Sequence, residues 1–181
     1  MNKTEVFVAL LRGINVGGNN KVEMAKLKAV FESLGFTEVK TYINSGNVVF
    51  ADSKDKPNKE QLIEKAIKQE FGYSVPVVIR TQAAIEMLLN KVPNEWANDA
   101  NQKTDVMFLW DEVDDPEVVK VIDYNPEFEH ILYVPGSVVW NVDREHIKQG
   151  SGIKLIGTKP YRKMTARNIN TVRKLAELMK F

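Results

Sequence analysis

Six consecutive apolar residues, Val6-Phe7-Val8-Ala9-Leu10-Leu11, run directly into Arg12-Gly13-Ile14-Asn15-Val16-Gly17-Gly18-Asn19-Asn20-Lys21. Successive side chains of a strand point to opposite faces, so an unbroken apolar run requires both faces to be covered. Helices bury one face; the other needs the second half of the chain or a partner. The loop after the run combines three glycines and three asparagines between two cations, ahead of a helical pattern that starts near Met24. Glycine reaches positive φ without strain, and loops of this kind turn several backbone N–H groups toward one spot, which suits an anion. Neither the Walker spacing nor the dinucleotide Gly-x-Gly-x-x-Gly occurs, so the loop matches no nucleotide fingerprint. A plain strand-to-helix connection is the competing reading.

Met24, Leu27, Phe31 and Leu34 recur at helical spacing, and Gly35 ends that helix. Residues 39–43 and 48–50 read as strands around Asn44-Ser45-Gly46-Asn47, a hairpin signal. Asn58 is placed to cap a helix carrying Leu62, Ile63, Ala66, Ile67 and Phe71, which Gly72 closes. Residues 75–80 form a further strand, and Pro76 assigns it to an edge. The order is β-α-β-β-α-β, so residues 1–81 are expected to form a ferredoxin-like α+β subdomain with an antiparallel sheet. In that topology the first two strands are parallel. The glycine loop, the hairpin at residues 44–47 and the turn Gly72-Tyr73-Ser74 should therefore meet at one end of the sheet.

Residues 82–104 read as a linking helix, capped by Thr81, with Ile85, Leu88, Leu89 and Val92 on one face, and a polar connector holding Trp96. Residues 105–181 are expected to form a second, smaller α+β subdomain with a C-terminal helix. Its parts are a strand at 106–110 and a helix started by Asp114-Asp115-Pro116-Glu117 and ended by Tyr124-Asn125-Pro126. A hairpin of 131–134 with 137–142 comes next, turning at Pro135-Gly136. Residues 144–157 suggest a helix weakened by Gly150 and Gly152. Thr165 is expected to cap the last helix, with Arg167 and Asn168 in its first turn and Ile169, Val172, Ala176 and Met179 buried. The half reads β-α-β-β and then helical, an imperfect echo of the first.

A net charge of +1 leaves no global field that would argue for nucleic acid or a membrane surface. Locally, every charged residue from 159 to 174 is basic, whereas residues 111–129 are rich in acid. Arg167 in a first helical turn opposes the macrodipole unless an anion lies between them; a solvated basic face docked on the acidic stretch is the alternative. The absence of cysteine excludes disulfides and thiol catalysis and suits a reducing cytoplasm. No leader peptide is expected at the N-terminus, and no segment approaches the roughly 20 apolar residues of a membrane span. His130 and His146 stand in no ligand motif, and Ser45 lacks the Gly-x-Ser-x-Gly context of a nucleophile elbow.

Three blocks carry a resemblance. They are Phe7-Val8-Ala9-Leu10-Leu11-Arg12-Gly13-Ile14-Asn15-Val16-Gly17-Gly18, Thr41-Tyr42-Ile43-Asn44-Ser45-Gly46-Asn47-Val48-Val49-Phe50, and Thr165-Ala166-Arg167-Asn168-Ile169-Asn170-Thr171-Val172-Arg173-Lys174-Leu175. Together the chain resembles the domain-of-unknown-function 1697 family of mostly bacterial proteins. The resemblance implies a two-part α+β protein with a ferredoxin-like first half, and it brings no established activity, substrate or cofactor. The family's hallmark positions fall on Arg12, Gly13, Asn15, Gly17, Gly18, Lys21, Ser45, Gly46, Asn47, Arg167, Asn168 and Thr171. Ala166 and Ile169 depart from the methionine and tryptophan expected there.

The expectation is therefore a cytoplasmic protein that binds a phosphate-bearing or other anionic small molecule. The ligand would meet Arg12, Gly13, Asn15, Gly17, Gly18, Lys21, Asn44, Ser45, Asn47, Arg167 and Asn168. No metal, cofactor or membrane is implied, no catalytic base can be nominated, and homo-oligomerisation is left open. A nucleic-acid-binding module that uses the basic C-terminal segment, and a purely structural or oligomerisation domain, are the alternatives.

Overall fold

The computed structural model describes residues 4–53, 56–152 and 158–181. The chain divides into two compact units, Met1–Ala83 with Leu175–Phe181, and Ala84–Lys174. In the first unit the order is β1 (Glu5–Leu11), α1 (Met24–Ser33), β2 (Thr37–Tyr42), β3 (Asn47–Asp52), α2 (Lys59–Phe71) and β4 (Val77–Thr81). The sheet runs β2-β3-β1-β4, and every neighbouring pair is antiparallel. Phe7, Ala9 and Leu11 face a core shared with Phe50, with Leu27 and Phe31 of α1, and with Ile63 and Ile67 of α2. The rings of Phe31 and Phe36 lie 5.3 and 4.5 Å from that of Phe50. On the opposite face Val8, Leu10, Val49, Ala51 and Val78 are also buried. The apolar run is thus a doubly buried strand, and each large side chain so buried is worth about 1.5–3 kcal/mol.

Gly35 and Gly72 end α1 and α2 in the left-handed region, with φ of +79° and +84°, and return their N–H groups to Glu32 and Lys68. Asn58 does not cap α2 as expected. Its own φ is +52°, and no side-chain capping bond forms. A capping side chain needs an extended backbone beneath it to reach the N2 or N3 amide.

In the second unit α3 (Gln82–Lys91) leads to β5 (Gln102–Leu109), β6 (Glu129–Val134), β7 (Ser137–Asp143) and β8 (Met164–Asn168). The sheet order is β6-β7-β5-β8, again antiparallel throughout. It repeats the first order strand for strand, and the joints repeat as well. Leu11 and Arg12 donate backbone N–H bonds to Gly46 (2.9 Å) and Pro76 (2.9 Å); Leu109 and Trp110 donate to Gly136 (3.0 Å) and Lys163 (3.0 Å). The echo read from the sequence is a repeated topology, with a fourth strand that the sequence reading lacked.

That strand corrects the C-terminal assignment. Thr165, Arg167 and Asn168 lie on β8, paired with β5, and the last helix, α4 (Ile169–Leu178), begins after them. Asn168 rather than Thr165 meets its first turn, where Oδ1 accepts from the Thr171 N–H at 2.9 Å. Ile169, Val172, Leu175, Ala176 and Met179 are buried as the spacing requires. The start signal at Asp115 also holds, since its carboxylate accepts from the Glu117 N–H at 2.7 Å. The helix it starts, Pro116–Val121, is a 3-10 helix instead of an α-helix; Val118, Val119 and Val121 are β-branched and disfavour continuation. Within residues 144–157 a 3-10 turn forms at Arg144–His146, and residues 153–157 lie outside the described residues. Gly150 and Gly152 are explained by space. A Cβ would come within 3.0 Å of Glu129 Oε1 at the first and 2.7 Å of the Trp140 ring at the second.

Candidate functional site

At one end of the first sheet the loop after β1 meets two other turns. Asn15 Nδ2 donates to the Asn44 carbonyl at 2.8 Å, which joins the loop to the β2–β3 hairpin. The Tyr73 hydroxyl donates to the Lys21 carbonyl at 2.6 Å and brings in the α2–β4 turn. Burial raises the Tyr73 hydroxyl above its ordinary pKa, which keeps it a donor. The convergence expected from strand order is present.

The loop is held from within. Asn15 sits at φ +53°; its Nδ2 also donates to Val22 O (3.0 Å) and its Oδ1 accepts from Val22 N–H (2.9 Å). Asn15 N–H reaches Asn20 O at 3.1 Å, and Asn20 Nδ2 returns to Gly13 O at 3.1 Å. Between them Val16-Gly17-Gly18-Asn19 forms a tight turn closed by Asn19 N–H to Val16 O, with Gly17 and Gly18 at φ +59° and +79°. Two successive positive φ values suit glycine. Gly13, Gly17 and Gly18 have open space where a Cβ would stand, so conformation and not packing demands glycine there. All three are exposed, and among the described residues no hydrogen bond is donated by their N–H groups.

The remaining predicted residues divide. Lys21 is exposed and Arg12 half-buried beside the loop. Ser45 and Asn47 serve the hairpin itself. Asn47 is fully buried and donates through Nδ2 to Tyr42 O and Ser45 Oγ, both at 3.0 Å. Gly46 is packed beneath Ile14, whose Cδ1 would lie 2.6 Å from an added Cβ. Loop and helix are also separated: α1 begins after Glu23, which pairs with Lys26 at 3.2 Å, so the donors at this rim belong to the loop rather than the helix end. Arg167 and Asn168 belong to the other unit. Arg167 is 7% exposed and donates to Thr165 Oγ1 (2.9 Å) and Ala166 O (2.8 Å); burial lowers its pKa to about 10. Arg167 is on a strand and not in a first helical turn, so no anion is needed to offset a macrodipole there.

Sequence reading missed a second polar centre, in the second unit. Glu129 is 1% exposed, yet its Oε1 accepts from Trp140 Nε1 (2.7 Å), Ser151 N–H (2.6 Å) and Ser151 Oγ (2.7 Å), and its Oε2 from Asn125 N–H (2.8 Å). No local signal marks it, because its donors come from residues 125, 140 and 151. Asp143, Glu145 and His146 bring potential ligand atoms within 4.8 Å of one another, but both carboxylates are exposed and His146 is stacked on Phe128 at 4.6 Å. Among the described residues no helix is long and apolar enough to cross a membrane.

Two repeated α+β sheets with a locked glycine loop at the first rim define the class. The family model described as "Protein of unknown function (DUF1697)" matches residues 4–140, and the chain belongs to that family. Its structure is similar to that of a conserved bacterial protein, SP0830 from Streptococcus pneumoniae. The two share 27% identity with a TM-score of 0.84, over 98% of this chain and 100% of the other. No curated protein matches the chain significantly.

Proposed function

We propose that the protein binds a phosphate-bearing or other anionic small molecule at the loop between β1 and α1, on a first unit that we read as ferredoxin-like. One observation carries this reading. The exposed residues Gly13, Gly17 and Gly18 lie in a loop locked by Asn15 and Asn20 and flanked by Arg12 and Lys21. A loop fixed before its ligand arrives loses little entropy on binding, and charge-assisted bonds to backbone N–H and ammonium groups suit a phosphate. In this proposal Asn15 and the Asn44 carbonyl support the loop, and Ser45 and Asn47 hold the hairpin beside it. Arg167 and Asn168 are left out of it, since their side chains bond within the second unit. In the basic segment Lys163 pairs with Glu112 at 2.9 Å.

Thermal shift against inorganic phosphate and a panel of sugar and nucleoside phosphates tests the proposal, because a ligand that binds only the folded state raises its melting temperature. At least one member should do so. Lys21→Ala should leave the unliganded melting temperature within a few degrees and weaken that ligand roughly ten- to a hundredfold. A panel without effect, or a Lys21→Ala variant that binds as well as the parent, would overturn it. Binding to oligonucleotides with a steep salt dependence would favour the nucleic-acid reading instead.

A further inference from the structure

The second sheet has one edge that is left open. Along β6 the register with β7 is unbroken from Glu129↔Val142 to Val134↔Ser137. Val134 and Ser137 close a tight hairpin, while Glu129 N–H turns away from β7 to Asn125 O at 2.9 Å. Antiparallel hydrogen bonding alternates along a strand. His130, Leu132 and Val134 therefore face β7, and Ile131 and Tyr133 turn their N–H and C=O groups outward. Among the described residues no backbone hydrogen bond reaches these outward groups.

Proteins usually blunt such edges with bulges, lysines or prolines. The edge strand β2 does so: its register shifts between Thr37 and Lys40, with Glu38 at φ +52°, and Lys40 stands on it. The edge β4 starts directly after Pro76. Within Glu129–Val134 there is no lysine, proline or bulge.

A cleft of about 330 Å³ lies along this strand and is lined by four consecutive residues, 129–132. Side chains at consecutive strand positions point to opposite faces, so all four can line one cleft only at the strand's open edge. Pro93, Trp96, Tyr124 and Pro126 complete its apolar lining, Lys91 adds a cationic group, and the His130 ring stacks on Trp96 at 6.0 Å. The Glu129 carboxylate is occupied by its four donors and does not present a free acceptor.

We infer that this edge accepts an extended segment of another polypeptide as a fifth strand, with apolar side chains against the Trp96 and Tyr124 rings and an acidic side chain toward Lys91. Main-chain hydrogen bonds supply affinity in this mode and alternate side chains supply specificity. A lone strand fits better than the edge of a second copy. A whole sheet would bring the layers packed about 10 Å from its faces against the rings that line the cleft.

The test uses the full chain and a displayed library of random decapeptides, with the strongest binder resynthesised. That peptide should carry an acidic residue whose replacement by the amide weakens binding. N-methylation of its backbone should weaken binding roughly tenfold or more at alternate positions, with the intervening positions tolerant. Hydrogen exchange at the Ile131 and Tyr133 amides should slow when it binds. Ile131→Pro removes an outward donor while sparing the ladder to β7, as proline on an edge strand permits, and should lower affinity to a similar degree. The N-methyl series needs no variant, so it decides the matter even if Ile131→Pro fails to fold. Failure to enrich any peptide, or binding indifferent to the alternation, overturns the inference. Protection of the two amides that rises with protein concentration in the absence of peptide also overturns it, by showing that a second copy occupies the edge.

Discussion

The Asn15 side-chain amide donates to the Asn44 carbonyl at 2.8 Å and joins two turns separated by 29 positions in sequence. The same side chain closes a two-way bond with the Val22 backbone. A single residue thus sets the shape of the glycine loop and its attachment to the hairpin.

Asn15→Ala removes these three bonds and places a residue with little tolerance for the left-handed region at φ +53°. Urea unfolding should show a loss of roughly 2 kcal/mol. Asn15→Gly, which relieves only the backbone term, should recover about 1 kcal/mol of it. A change below about 0.5 kcal/mol in Asn15→Ala, the range of ordinary surface substitutions, would show that the loop holds its shape by other means.

Ile43, at the tip of the same hairpin, is 48% exposed and adopts φ +48°. A β-branched residue in that region is strained, and little burial offsets the strain. Ile43→Asn or Ile43→Gly should raise stability by about 1 kcal/mol, seen as a higher melting temperature. Loss of stability in both variants would mean that the exposed side chain packs better than its surface suggests.

Burial alone would raise the Glu129 carboxyl. Bonds from Asn125 N–H, from the Ser151 hydroxyl and N–H and from the Trp140 indole outweigh it and hold the carboxyl below its ordinary value of 4.5. With the folded value below the unfolded one, Glu129 contributes stability above about pH 4.5 that disappears as pH falls through the folded value. Glu129→Gln should flatten that part of the acid limb in denaturation measured from pH 3 to 7. At pH 7 it should cost roughly 1–3 kcal/mol, since an amide NH2 would then face a donor. An acid limb identical to the parent's would place the responsible carboxylate elsewhere.

The amino-acid sequence by itself determined the order β-α-β-β-α-β, the glycine stops at Gly35 and Gly72, and the two hairpins. These rest on local periodicity and on backbone preferences that neighbouring residues do not override. It also implied that the glycine loop and the hairpin share an end of the sheet, because strand order leaves them no other place. Tertiary pairing decided the rest. Met164–Asn168 is short and, read alone, resembles a helix start; it is a strand because β5 offers it a partner from Asp105 to Leu109. That pairing carries Arg167 from an expected helix turn to a buried strand position. Asn15, read from the sequence as a ligand contact, bonds to the backbone at Val22 and Asn44, and Asn20 bonds to Gly13 O; the fold alone shows these side chains holding the loop's own carbonyls and amides. The buried Glu129 was equally hidden in the sequence, because the donors that stabilise it come from residues 125, 140 and 151, and only the folded chain brings them to one carboxylate.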